Sequence, residues 1–140
     1  VVKNLSYDRY WAQTQGKEPA PLIRSLHMTG GDGSVDDLIA QTTRGILVTR
    51  FWYIRPVDPR SLLYTGLTRD GTFLIENGRV TRAVKNLRFN ESPVFMLNNL
   101  EAMGRSVRVS ASEDGSPGFA IVVPPIMARD FNFTSLSDAI

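Results

Sequence analysis

The sequence predicts a β-rich α+β fold, with a largely antiparallel or barrel-like sheet and about three short helices. Three observations predict it. Segments dense in β-branched and aromatic residues recur from residue 46 onward, as half-buried strands require. Hairpin-length turns join them, with Asn77-Gly78 the sharpest, because both residues tolerate the positive φ of a type I′ turn. Three short stretches carry helix punctuation instead, each with a glycine after it and the second and third with a capping serine before it.

Composition sets limits on function. The 140 residues include one histidine and no cysteine, with a formal charge of +2. There is no thiolate ligand, no cysteine nucleophile and no disulfide framework. A metal site built on a histidine pair is excluded, and a Ser-His-Asp triad would need His27 as its base. No apolar run is long enough for a membrane span. Residues 1–70 carry nine Lys/Arg against seven Asp/Glu and residues 71–140 carry seven of each, so the surface is not a strong polyanion attractor. The start, VVKNLSYDRYW, has no signal-peptide pattern and no Met, so the chain reads as a fragment of a larger protein. The missing cysteines fit a reducing, cytoplasmic setting.

Along the chain, residues 8–14 form the first helix candidate, with Gly16 beyond its end and Pro19 and Pro21 barring continuation. Residues 16–33 read as a turn-rich, flexible connector, giving a division into residues 1–33 and a compact β-rich core over 34–140. Within the connector His27 is a lone imidazole. Gly30-Gly31-Asp32-Gly33 lacks the lysine of a phosphate-binding loop. Ser34 with Asp37 three residues on is an acidic capping box, and that helix runs to about Thr42.

Strands are then expected over 46–54, 62–67, 72–76, 79–84 and 86–90. In Phe51-Trp52-Tyr53, alternation covers both faces and points to a central strand. Thr68, Arg69, Asp70, Gly71 and Thr72 lie between two expected strands. Two readings stand for them: a tight turn cornered on Asp70-Gly71, or a sheet-rim loop aiming Arg69 and Asp70 into a cleft. Arg79, Arg82, Lys85 and Arg88 form a basic run, split over two faces by strand parity. Ser92, Pro93 and Gly104 punctuate a third helix carrying Val94, Leu97, Leu100 and Met103. Short strands follow over 107–111, 119–123 and 130–134, with a polar turn at Glu113, Asp114 and Gly115. Phe131 and Phe133 are expected on one buried face.

The stretches GILVTRFWYIRPVDP (45–59), TGLTRDGTFLIENGRVTRAVKNLRF (65–89) and NLEAMG (99–104), with the opening NLSYDRYWAQTQGKEP (4–19), resemble the C-terminal domain of the TldD/PmbA family. Its members, formerly called modulators of DNA gyrase, are regarded as zinc metallopeptidases or their inactive partners. The resemblance implies a cytoplasmic dimer handling unfolded peptides, with an upstream N-terminal domain carrying an H-E-x-x-x-H motif. It also implies a cysteine ligand in a loop matching Ser110-Ala111-Ser112-Glu113-Asp114-Gly115. That position falls at Ala111, or at Ser110 with a shift of one, and neither replaces a thiolate.

Three functions follow. The first is a non-catalytic domain that scaffolds extended-peptide binding and dimerisation, holds no metal itself, and uses Thr68, Arg69, Asp70, Gly71 and Thr72 as a peptide rim loop. The second is the C-terminal half of an active zinc metallopeptidase with its ligands upstream and Glu113 or Asp114 standing in for the cysteine. The third, a nucleic-acid or gyrase-binding module, rests only on the run from Arg79 to Arg88.

Overall fold

The computed structural model describes residues 8–20, 25–109 and 120–137. Its elements, in chain order, are α1 (Arg9–Thr14), β1 (Ser25–His27), α2 (Val35–Gln41), β2 (Arg44–Asp58), β3 (Leu63–Glu76), β4 (Arg79–Ala83), β5 (Leu87–Glu91), α3 (Pro93–Asn98), β6 (Leu100–Met103), β7 (Val107–Val109), β8 (Ala120–Val123), β9 (Ile126–Ala128) and β10 (Phe133–Leu136).

The main sheet is antiparallel throughout, in the order β10-β5-β3-β2, with β4 also on β3. β3 is its spine. β2 runs along one side of it, while β5 pairs with residues 64–67 and β4 with residues 73–76 on the other. Two smaller sheets complete the fold, β1-β8-β7 and β6-β9. Only β1 and β8 pair in parallel among the described strands, and no sheet closes into a barrel.

Local chemistry sets the expected ends. Asp8 accepts the Trp11 amide at 2.7 Å, and Gly16 takes a φ of +60° just past α1. At α2 the capping box is complete: Ser34 Oγ accepts the Asp37 amide and the Asp37 carboxylate accepts the Ser34 amide. Those bonds from Ser34, the backbone N–H first and the hydroxyl second, hold the Asp37 carboxyl below its ordinary value. Asn77 (φ 50°) and Gly78 (φ 77°) turn β3 into β4. A Cβ on Gly78 would lie 2.8 Å from the Ala40 carbonyl oxygen, so glycine also admits α2 against this turn. The turn from β2 to β3 is built on Asp58, whose carboxylate accepts from the Ser61 hydroxyl and the Arg60 amide. Both bonds lower its pKa, the hydroxyl more.

Five expectations change. Residues 68–72 are neither a loop nor a tight turn; they lie inside β3. β2 is an edge strand, because among the described residues it pairs only with β3. Tyr53 has a φ of +52° and the register shifts between Trp52 and Arg55, so the alternation that pointed to a central position is interrupted there. The third helix stops at Asn98, and Leu100–Met103 becomes β6 by pairing with β9; distant partners override the helical spacing. Ser92 makes no side-chain cap, and its hydroxyl donates instead to the Ser61 carbonyl at 3.2 Å. β10 begins only at Phe133, yet the Phe131 and Phe133 rings still meet at 4.9 Å.

The glycine run at 30–33, expected as part of a flexible connector, is a close crossing. Gly30 N–H donates to Ser106 Oγ, Gly31 N–H to the Gly104 carbonyl, and Arg105 N–H to the Gly33 carbonyl. A Cβ on Gly30 would sit 2.1 Å from the Gly104 oxygen and 2.5 Å from Pro124 Cβ.

Candidate functional site

The stretch singled out in the sequence lies at the one place where β3 loses its second neighbour. β4 ends at Ala83 and β5 begins at Leu87, so residues 84–86 cross beside β3 without a ladder. Side chains supply the missing bonds. Thr68 is fully buried and Thr72 nearly so. The Thr72 hydroxyl donates to Thr68 Oγ1 at 2.7 Å, Thr68 Oγ1 also accepts the Leu87 amide at 2.9 Å, and its own proton points to Asn86 Oδ1 at 3.4 Å. The Val84 amide donates to the Thr72 carbonyl. Buried polar groups are tolerable only when bonded in this way, so Thr68 and Thr72 clasp the crossover to the sheet.

Asp70 and Gly71 are the outward part of the same stretch. Val48 pairs with Thr72 and Arg50 with Arg69, so β3 carries one extra residue there. Asp70 takes the left-handed conformation of such a bulge, with φ 61°. Gly71 is needed for room: an added Cβ would meet the Phe73 ring at 2.7 Å and Thr49 Oγ1 at 2.9 Å. Thr49 donates its hydroxyl to the Gly71 carbonyl at 3.1 Å. The bulge aims the Asp70 carboxylate at Arg50, which it meets at 2.9 Å with both groups exposed. Arg50 in turn lies 4.5 Å from the Trp52 ring centre, and Arg55 lies 4.3 Å from that of Tyr53. β2 thus carries two arginines held against aromatic rings.

Behind this edge is an aromatic cluster. Phe51 meets Phe89 edge-on at 5.0 Å and stacks on Phe131 at 5.4 Å. Gly66 makes space for it, since a Cβ there would come within 2.5 Å of the Phe89 ring.

The other candidates are dispersed. His27 lies on exposed β1. Arg79 and Arg82 are on β4, Lys85 in the crossover and Arg88 on β5, where its guanidinium reaches Thr65. Ser110, Ala111, Glu113 and Asp114 lie outside the described residues. Among the described residues no three His, Cys, Asp or Glu side chains group as metal ligands. Sequence reasoning missed Asn86 and Arg50. Arg50 has no signal in the linear pattern. Asn86, a short polar residue ending the basic run, could have been flagged only as a break between strands.

A profile of the PmbA/TldA metallopeptidase C-terminal domain matches residues 1–135. The chain belongs to the PmbA/TldD family, as its C-terminal domain. Solved structures agree. A candidate modulator of DNA gyrase from Bacteroides thetaiotaomicron is 28% identical with a TM-score of 0.68, over 92% of this chain and 27% of that one. TldE from Thermococcus kodakarensis shares the fold with a TM-score of 0.68 at 19% identity, over 97% of this chain and 31% of that one. A candidate gyrase modulator from Thermotoga maritima does so with a TM-score of 0.71 at 17% identity, over 96% and 31%. Among curated proteins, none matches by sequence. This chain thus spans less than a third of the length of the solved PmbA/TldD-family relatives. Among its described residues no helix is long and apolar enough to cross a membrane.

Proposed function

We propose that this chain is a non-catalytic wall of a PmbA/TldD-type subunit, receiving an extended, unfolded peptide along β2. In this reading the subunit works as a cytoplasmic dimer in proteolysis, and zinc chemistry in the whole protein belongs to residues outside this chain. The observation that carries the reading is the one-sided ladder of β2 among the described strands. The strand is fifteen residues long and, among the described residues, pairs on one side only. An unpaired edge offers backbone N–H and C=O groups to an added strand, with affinity that depends little on the guest's side chains.

The edge is not uniform. Tyr53 in its left-handed conformation and Pro56, which lacks an N–H, interrupt the distal half. Residues 44–51 are the more regular part, with Arg50 and its Asp70 partner near their end. The bulge residues Arg69, Asp70 and Gly71 then lie one strand behind the bound peptide, with Asp70 holding Arg50 of the edge strand rather than forming a mobile rim, while Thr68 and Thr72 hold the sheet behind it. The four basic residues from Arg79 to Arg88 are spread over two strands and a crossover, an arrangement that favours peptide binding along β2 over a nucleic-acid or gyrase-binding surface.

Fluorescence anisotropy with the full-length protein tests the reading. A labelled unfolded peptide and its scrambled version are expected to bind within a few-fold of each other. The same peptide N-methylated at alternate residues is expected to bind at least tenfold more weakly, since it loses the backbone donors. Equal binding of the N-methylated peptide, or strong dependence on sequence order, overturns strand addition.

A further inference from the structure

We infer that α3 and the turn between β2 and β3 form the surface on which the remaining part of the same polypeptide docks. The inference rests on the reading that this chain is one domain of a longer subunit. α3 has the sequence PVFMLN, without a charged residue, and none of its residues is buried. Phe95 is 63% exposed, and Val94 and Leu97 are nearly half exposed. A six-residue helix has too few internal bonds to hold itself; such helices persist by packing an apolar face. A helix that is apolar on every side belongs inside a larger protein, and α3 has no such cover among the described residues.

Its neighbours extend the patch. The Ser92 hydroxyl on the Ser61 carbonyl brings the start of α3 onto the turn after β2. Val57 and Leu62, which flank that turn, are both exposed. The described residues bury six apolar side chains and leave seventeen large ones exposed. Isolated exposed apolar residues are ordinary, but a charge-free helix beside two more of them is a covered surface seen without its cover.

Chain length decides the occupant. Solved relatives are about three times as long as this chain, which covers 27–31% of them. A segment tethered through a linker that spans the distance meets the patch at an effective concentration of about millimolar, above that of a free second copy in dilute solution. The rest of the polypeptide therefore occupies the surface first.

Hydroxyl-radical footprinting of the full-length protein, read by mass spectrometry, tests this without any variant. Each side chain is compared with the same protein unfolded in urea. Phe95 and Leu97 are expected to be protected at least tenfold, as buried Phe89 is, and to stay so at dilutions where sedimentation shows a monomer. Oxidation of Phe95 within twofold of the unfolded rate overturns the inference. Protection that disappears as the protein dissociates also overturns it, because a second copy is then the cover. An intact mass matching these 140 residues alone would instead remove the longer-subunit reading itself. Peptide binding by β2 is measured separately and can fail without affecting this result.

Discussion

Replacing Thr68 by valine asks whether the buried hydroxyl chain holds the crossover to the sheet. Valine keeps the shape of threonine, so packing at this fully buried position is preserved and no cavity opens. What is lost is an acceptor. The Leu87 amide, 2.9 Å from Thr68 Oγ1, is left without its partner, while the Thr72 hydroxyl can turn to Asn86 Oδ1 at 3.2 Å. An orphaned, partly buried donor costs about 1–3 kcal/mol, so Thr68→Val is expected to cost about 2 kcal/mol. Thr72→Val removes a hydroxyl but strands no amide, because Thr68 still accepts from Leu87 and donates to Asn86. Its expected cost is about 1 kcal/mol, the net value of one neutral hydrogen bond. The double variant is expected to cost less than the sum, since the bond between the two hydroxyls is counted in both single variants. Urea denaturation of the three variants and the parent, at unchanged m-value, measures this. Equal costs for the two single variants, or a Thr68→Val cost below about 0.5 kcal/mol, would refute the reasoning.

Gly30→Ala is expected to destabilise by more than about 2 kcal/mol, because the new Cβ meets backbone and proline ring, neither of which can swing away. Gly33→Ala, whose Cβ finds its nearest neighbour at 3.5 Å, is the control and is expected to stay within about 1 kcal/mol of the parent; similar losses in both denaturation curves would contradict the close crossing. Arg50→Ala removes an exposed ion pair, so its expected effect on stability is below about 1 kcal/mol, while peptide binding weakens if Arg50 flanks the β2 edge. At α2, the Asp37 carboxyl titrates below its ordinary value, so the stabilisation it contributes is present above that ordinary value and is lost as pH falls through the depressed folded pKa. In Ser34→Ala the hydroxyl bond goes and the amide bond remains. NMR titration is expected to show Asp37 moving part of the way back up; an unchanged Asp37 would count against the capping box.

What could be read from the sequence follows the range of the interactions that set each element. Ser34 with Asp37, Asp8 with Trp11, and Asn77-Gly78 are settled within three or four residues, so their spacing in the chain is enough. The errors lie where a distant partner decides. Leu100 and Met103 continue a helical spacing, but β9, more than twenty residues on, takes them into a strand. Residues 68–72 look like a loop because they are polar. In the fold, two of those polar groups are buried and bonded to Asn86 and Leu87, while Asp70 bulges out to Arg50. Gly30 and Gly31 look loose because they are glycines, yet a side chain on Gly30 would run into Gly104 and Pro124, and one on Gly31 into the Met103 carbonyl. The family resemblance was carried by residues 45–59 and 65–89, with 99–104 and the opening 4–19, and the family profile over residues 1–135 bears it out. The edge role of β2 was hidden, because strand order in a sheet is set by which chains meet, not by the pattern along one of them.

Hydrogen exchange of the full-length protein, with and without a saturating unfolded peptide, tests the wall-like role most directly. Slowed exchange of backbone amides concentrated in residues 44–51, with little change in β4 or β10, is the expected result. Unchanged exchange along β2 while the peptide is bound would contradict it.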